Sequence, residues 1–405
     1  MTRWAFAASC AGLLCGALAF PALADKDTIR IGVLTDANGP VSDLSGNGSI
    51  TAAQLAVEDA SGAVLGRPVA IVVGDHQNKP DVGSTIARKW FDEDGVDAIV
   101  DVPTSSVGLA IQEIVKQKRK VFLNTGGTSS EFTGEKCTPF ATQWSTDTYI
   151  VSAGVTGRLV KQGLDSWFFL VTDYTFGQAL EADATRAITK AGGRVVGSVR
   201  HPLNTQDFSS FLLKAQGSGA KVIGLANASG DTIRSIQQAR EFGLADGPQT
   251  IVAFILHLTD VHALGLQAAQ GSLFLDGFYW DRDDGTRAWT QRFMARNRGR
   301  APTSIQASVY SAVTHYLKAV AAEGSIDAEA VSAKMKALRI ADALIPKGSI
   351  RADGKIIKDY YVLQVKTPAE SMKPWDYLKI VDVVPGQDVA RPLAEGGCPS
   401  ASAKP

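Results

Sequence analysis

From Thr28 to Thr125 the chain alternates short apolar runs with amphipathic stretches of helical length. Residues 28–34 (TIRIGVL), 67–74 (RPVAIVVG), 99–102 (IVDV) and 121–123 (VFL) read as strands. Between them, 47–59, 80–92 and the run from Ser106 to about Lys118 read as helices, with Ile50, Ala53, Val57 and Ala60 on one face of the first. Such alternation leaves little choice of topology. Each strand, crossover and following strand closes right-handed, and repeated units build a parallel, doubly wound sheet. A second series begins after Trp144. A helix over 146–161 precedes strands at 166–171, 194–200, 221–225 and 250–254. Helices are expected from the turn at 172–177 to about Ala191, then over 207–216 and 231–242. The run SWFFLV at 166–171 is near-continuously apolar, as a strand covered on both faces requires. Two such series mean two α/β lobes.

From Ser272 the pattern changes. SLFLDGFYW reads as an extended connector, followed by helices at 286–297, 304–322 and 327–338. Asp327 is placed to N-cap the last of these, with Glu329 in its first turn. After the turn Ala352-Asp353-Gly354, residues 359–365 and 377–383 are strand-like. The tail from Pro385 is rich in Pro, Gly and Ala and is expected to be extended, held near Cys398.

The chain has 405 residues and 45% hydrophobic content, enough for more than one core. Its 41 basic and 41 acidic residues balance, so no basic excess exists to neutralise phosphates, and nucleic acid is not an expected partner. Residues 1–24 carry Arg3, an apolar run to Phe20 and the small-x-small site Ala22-Leu23-Ala24 before Asp25, the pattern of a cleaved secretory leader. No later apolar run reaches membrane-spanning length. Cys10 and Cys15 fall in the leader, which leaves Cys137 and Cys398. In an exported chain two cysteines are expected to form one disulfide, tying the tail to the first half of the chain; two free thiols are the alternative.

The stretch 99–130 holds the chemistry. Strand 99–102 empties into Pro103-Thr104-Ser105-Ser106, and strand 121–123 into Asn124-Thr125-Gly126-Gly127-Thr128-Ser129-Ser130. In a parallel sheet both turns lie at carboxyl ends of strands, where ligands bind. A helix starting at Ser106 or its neighbour offers free N–H groups and a partial positive charge, suited to a carboxylate. One hydroxyl turn is as readily an ordinary cap; two in succession favour a site. Other chemistries find little support. Gly46-Asn47-Gly48 only begins a nucleotide-binding glycine pattern, and no GxxxxGK[ST], GxSxG or HExxH motif occurs. His257, Asp260 and His262 lack a zinc-ligand spacing and fit the start of a helix or the surface. His76 is placed best as a turn residue, and Trp144, Tyr279 and Trp280 as core or hinge packing.

Six segments in order carry a family resemblance: IRIGVLTDANGP with its following SG, AAQLAVEDA, GRPVAIVVGDHQNKPDVG, the TSS turn, the NTGGTS turn and DYTFGQAL. Over about Thr28 to Val384 the chain resembles the leucine/isoleucine/valine-binding family of periplasmic proteins that deliver solutes to ABC transporters. The resemblance implies a type I periplasmic binding protein: two doubly wound lobes, a hinge of three crossovers and a ligand cleft whose closure is recognised by a membrane permease. It implies an N-terminal lobe of 25–143 plus 276–354, a second lobe of 144–275 plus 355–384, and a tail of 385–405 held by the Cys137–Cys398 bridge. The family's carboxylate site falls on Ser105, Ser106, Gly126 and Thr128, and its aromatic wall near Tyr174 and Phe176. Amino-acid binders of the family add an aromatic and an acidic residue from the second lobe. Here those regions read Asn227-Ala228-Ser229-Gly230-Asp231 and Ala253-Phe254-Ile255-Leu256-His257. An unpaired buried ammonium is costly, so a hydrophobic or aromatic acid is the expected ligand and a branched-chain amino acid the next. An inward-facing Asp231 would restore ammonium pairing to an amino acid or amide ligand, and a periplasmic ligand sensor of the same fold is the alternative role. The expectation is a monomeric, non-enzymatic periplasmic protein without cofactor or metal.

Overall fold

The computed structural model describes residues 1–2, 27–244 and 247–402; the expected leader lies, beyond its first two residues, outside them. The first lobe runs β1 (Ile29–Thr35), α1 (Gly46–Asp59), β2 (Ala63–Val64), β3 (Arg67–Asp75), α2 (Pro80–Asp92), β4 (Ala98–Asp101), α3 (Ser105–Lys118), β5 (Val121–Asn124) and β6 (Ala141–Gln143). The strands form one sheet in the order β2-β3-β1-β4-β5-β6. All its pairings are parallel except the short β2–β3 hairpin. From β1 the chain first winds outward to β3 and then returns to β4 on the other side. The carboxyl ends of β1 and β4 therefore flank a topological switch point, the place where open α/β sheets leave a crevice.

The second lobe repeats this plan with α4 (Thr148–Lys161), β7 (Ser166–Thr172), α5 (Thr175–Lys190), β8 (Arg194–His201), α6 (Ser209–Gly217), β9 (Val222–Ala226), α7 (Gly230–Glu241) and β10 (Thr250–Ala253). Its sheet order is β10-β9-β7-β8, all parallel. Every residue of β7 is buried, which is why this strand carries no polar alternation. The switch point lies between β7 and β9, so their following turns, at 173–174 and 227–229, face outward together.

After α8 (Leu258–Leu264) and α9 (Leu266–Ala269), β11 (Leu273–Asp276) replaces the expected connector. Phe274, Leu275 and Asp276 are buried, and the strand's backbone groups pair antiparallel with a later strand. Then come α10 (Asp284–Arg296), α11 (Ser304–Glu323) and α12 (Ala328–Ala337), the hairpin β12 (Gly348–Ile350) and β13 (Ile356–Lys358), β14 (Tyr360–Val365) and β15 (Leu378–Val384). As expected, Asp327 caps α12, accepting from the Ala330 N–H at 3.0 Å. Helix α11 joins the first lobe: Thr303 Oγ1 donates to the Leu44 carbonyl at 2.7 Å and Gln306 Nε2 to that of Ser45 at 3.0 Å. β11, β14 and β15 form a separate antiparallel sheet, packed through Leu275 and Tyr360 on Ile150 of α4. The β12–β13 hairpin spans the expected lobe boundary at 354. Its Gly354 carbonyl accepts from Gln143 N at 2.9 Å. The left-handed φ of 87° at Gly354 and the Ala141 carbonyl 2.4 Å from where a Cβ would stand require glycine there.

The tail is not extended. It folds into short turns, α13 (Gly386–Val389), a 3₁₀ turn at Leu393–Glu395 and α14 (Pro399–Ser402). Arg391 donates to the Ser130 carbonyl at 2.9 Å, and Arg351 to the Arg391 carbonyl at 2.8 Å. The expected disulfide Cys137–Cys398 is present, with Cα atoms 5.5 Å apart across 261 residues. The chain thus leaves β15 and ends fastened to the loop that follows β5. Reduction of this bond is expected to lower the stability of the protein by roughly 2–5 kcal/mol, measured by denaturant unfolding of Cys137→Ser/Cys398→Ser; an unchanged midpoint would show that the tail contributes nothing.

Candidate functional site

The first-lobe half of the site is built by an unusual backbone. Asp101 and Val102 both lie in the left-handed region, at φ 87° and 60°, a costly place for a β-branched residue and one found mostly at functional sites. The bend turns the Asp101 carbonyl toward the next turn, where it accepts from Thr125 N at 3.3 Å and Gly126 N at 3.2 Å. Gly126 admits no side chain, because a Cβ would stand 2.5 Å from Pro103 Cα. The two hydroxyl turns are therefore packed backbone to backbone.

Ser105, 2% exposed, is the first residue of α3. Its Oγ accepts from Thr128 N and Ser129 N, each at 3.2 Å. Two acceptor bonds use its lone pairs and leave its O–H as the group it can give away. Ser106 and Thr128 are half-buried beside it. The N-cap of α3, Thr104, makes no side-chain cap bond; its hydroxyl donates to Asn78 Oδ1, and the first-turn N–H groups keep their donor capacity. Asn124 stiffens the second turn from both ends, accepting from Gly127 N at 2.7 Å and donating to the Gly127 carbonyl at 3.0 Å.

Beneath the turns lie two buried titratable groups. Burial pushes the Asp101 carboxyl up to about 7, although the Thr125 hydroxyl donates to its Oδ1 at 3.4 Å. Burial pushes His76 down to about 4 despite Asp36 and Asp75 nearby. With its Nδ1 accepting from Asn78 N at 3.0 Å, the ring is a neutral turn-former. The first-turn N–H groups of α3 present the positive end of its dipole at these turns.

In the second lobe, Tyr174 precedes α5 with its ring 5.9 Å from that of Phe176. The two residues expected as an aromatic wall are placed differently. Phe176 sits in the lobe's core with Trp167, Leu180 and Phe254. Tyr174 lines a cavity of about 20 Å³ together with Thr172, Ala228, Ser229, Asp231 and Arg234, facing Pro40 and Val41 of the first lobe. Pro40 and Val41 are held there by Asp36, whose carboxylate accepts from Gly39 N at 2.8 Å and Val41 N at 3.0 Å. Asp231 is buried, with Oδ1 on Arg234 at 2.9 Å and Oδ2 accepting from Asn204 N at 3.0 Å. Both of its oxygens are engaged within the lobe. A larger cavity, about 480 Å³, opens between β10 and β11, lined by the second lobe and its connector.

The remaining aromatics pack as expected. Trp144 is fully buried and bonds Thr142, and Trp280 donates to the Trp375 carbonyl at 2.9 Å. His257 starts α8, its N–H on Asp260 Oδ2 at 2.9 Å. Sequence reasoning gave no hint of the hinge pair, a buried Lys355 whose Nζ stands 2.9 Å from Asp147 and 2.8 Å from the Ser145 carbonyl. It joins the crossover after β6 to the β12–β13 hairpin. No local pattern marks a lysine in a strand-like segment as buried, so only its partner across 208 positions would have revealed it. Among the described residues no cluster of three His, Cys, Asp or Glu side chains is placed to hold a metal, and no helix is long and apolar enough to cross a membrane.

Two α/β lobes joined by several crossovers, with facing turns at their switch points, define a hinged two-lobe ligand-binding protein. The chain belongs to the periplasmic binding protein family, whose profile matches residues 28–371. It is similar to a periplasmic binding protein from Burkholderia mallei, with a TM-score of 0.90 and 43% identity over 92% of this chain and 99% of that one. It is also similar to a branched-chain amino acid ABC transporter periplasmic ligand-binding protein from Burkholderia xenovorans LB400, with a TM-score of 0.82 and 39% identity over 92% of this chain and 100% of that one. Among curated relatives, a Leu/Ile/Val-binding protein homolog 7 from Brucella suis is 27% identical over 60% of this chain; the match spans 62% of the relative's length.

The raised Asp101 gives a pH prediction. Its neutral form is the one the fold accommodates, so its contribution is complete below the unfolded-state value near 4 and is lost as pH rises through about 7. Relative to Asp101→Asn, the natural protein is expected to lose up to about 4 kcal/mol between pH 4 and pH 8 in denaturant unfolding; parallel pH profiles would contradict this.

Proposed function

We propose that this protein is the substrate-binding component of a periplasmic ABC importer, monomeric and without catalytic activity, which captures a small carboxylate-bearing solute between its lobes and presents the closed form to a permease. The carboxylate is received by Ser105, Ser106, Gly126 and Thr128, and a hydrophobic or aromatic acid is the favoured ligand, with Tyr174 against its apolar part. The observation that carries this reading is the Ser105 hydroxyl: with both lone pairs used by the second turn, it is a committed donor at an uncapped helix start. A ligand touching both lobes favours closure by its differential affinity for the closed form. Burial of its apolar part supplies most of the free energy and the hydroxyl turns the orientation.

The Burkholderia xenovorans relative supports a second reading, a branched-chain amino acid. It requires Asp231 to give up Arg234 for the ligand's ammonium, an exchange that leaves a guanidinium beside that ammonium.

A thermal-shift screen of amino acids, aromatic acids, aliphatic acids and amides separates the readings. A ligand at 100 times its Kd is expected to add about 2.7 kcal/mol of stability, and acids are expected among the hits; amino acids alone would overturn the ligand assignment. Ser105→Ala is expected to weaken acid binding by roughly 1–3 kcal/mol in calorimetry. Because it also orphans two N–H groups, its unliganded stability is measured alongside. Unchanged affinity would remove Ser105 from the site.

A further inference from the structure

The β12–β13 hairpin buries two lysines, and only one of them is paired. Lys355 meets Asp147 at 2.9 Å and the Ser145 carbonyl at 2.8 Å. Lys358, the last residue of β13 and 5% exposed, makes no hydrogen bond and no ion pair with any described residue. Burial pushes its ammonium down to about 8, against the charge of Asp276. Asp276 is itself engaged, with Oδ1 accepting from Gly277 N at 2.7 Å and Oδ2 standing 3.8 Å from His257 Nδ1. A buried cation without a partner is costly, and an ion or water that completes it is the ordinary explanation.

Lys358 lines a cavity of about 90 Å³, where β11 ends and β14 begins. Gly277 lies in the same wall, and a Cβ there would stand 2.9 Å from Lys358 Nζ, so the glycine leaves the ammonium room. A water needs about 10–15 Å³, so the cavity has space for an ion of several atoms. Arg282 builds another wall. Its guanidinium is committed to Asp283 at 2.6 Å, the Leu344 carbonyl at 3.0 Å and the Tyr361 hydroxyl oxygen at 2.9 Å. Having accepted that bond, Tyr361 keeps its own O–H to give. The other charged residues of the lining are Lys347 and Asp359, both exposed. With Arg282 spent on Asp283, the cavity holds two lysines and one carboxylate.

We infer that this cavity is an anion site, taking a small tetrahedral oxyanion of the phosphate or sulfate class on Lys358, Lys347 and the Tyr361 hydroxyl. These donors come from β13, from the loop before β12 and from β14. Convergence from three segments suits an ion with several oxygens better than a monatomic one. The site is separate from the hydroxyl turns and does not depend on what the cleft binds. A bound anion ties the exit of β13 to the loop before β12, three residues from the paired Lys355.

The test is calorimetry at pH 7 and fixed ionic strength on the mature protein, dialysed free of phosphate and sulfate. Sodium phosphate, sulfate, methyl phosphate and chloride are titrated in turn. A tetrahedral oxyanion is expected to bind one per chain, at least tenfold more tightly than chloride. Tighter binding of methyl phosphate than of phosphate would assign the site to phosphate monoesters, and the reverse to the free ion. Lys358→Met keeps the aliphatic length and removes the buried charge, so it is expected to be at least as stable without anion and to lose the binding. Lys347→Ala, at an exposed position, is expected to fold as the natural protein does and to weaken the anion at least threefold. No binding, in which case the cavity holds only water, would overturn the site. Chloride bound as tightly as the oxyanions, or an unchanged Kd in either variant, would overturn it too.

Discussion

Two hydrogen bonds hold the site together, those from Thr128 N and Ser129 N to the Ser105 hydroxyl. They fuse the turn after β4 to the turn after β5, and much else is shaped by that contact. Upstream, the left-handed Asp101 and Val102 bring the first turn under the second. Gly126 leaves the space for Pro103. Downstream, the Thr128 carbonyl accepts from Thr148 N, and Ser130 N donates to Thr148 Oγ1. Thr148 is the first residue of α4 in the second lobe. The proposed carboxylate clamp is thus continuous with the first crossover. Asp147, next to it, is ion-paired with Lys355 of the β12–β13 hairpin. A ligand that pulls on the second turn acts directly on the hinge, which is the coupling a closing binding protein needs.

Much of this fold is legible in the sequence because each level of pattern agrees with the next. Strands such as SWFFLV are almost continuously apolar since helices cover both faces, and the intervening helices show their buried stripes. What escaped lies where tertiary pairing decides. β6 is three residues long and exists as the partner of β5. β11 is a strand since its backbone meets β14, not by any local preference. The tail folds back because Arg391 and Cys398 find partners more than 250 positions earlier.

The site divides the same way. The hydroxyl turns stand out by composition and by their position after two strands. Tyr174 and Phe176 are alike to composition, yet one edges the cleft and the other fills the core, and two residues of spacing across a helix start do not tell which. Asp231 carried a readable warning in Arg234, three positions on, a spacing at which helix side chains pair.

What unifies these features in the proposed reading is a cleft that would receive a carboxylate through donors fixed in the backbone and in short hydroxyls, with almost no mobile charge. Such donors are preorganised by the strained turns that carry them, so little ordering remains for the ligand to impose. The most direct test of the central claim compares, by calorimetry, the best-binding carboxylic acid with its own primary amide, which keeps the shape and removes the charge. The account predicts that the acid binds at least 30-fold more tightly and that Ser105→Ala removes most of the difference. Equal affinity for acid and amide would contradict it.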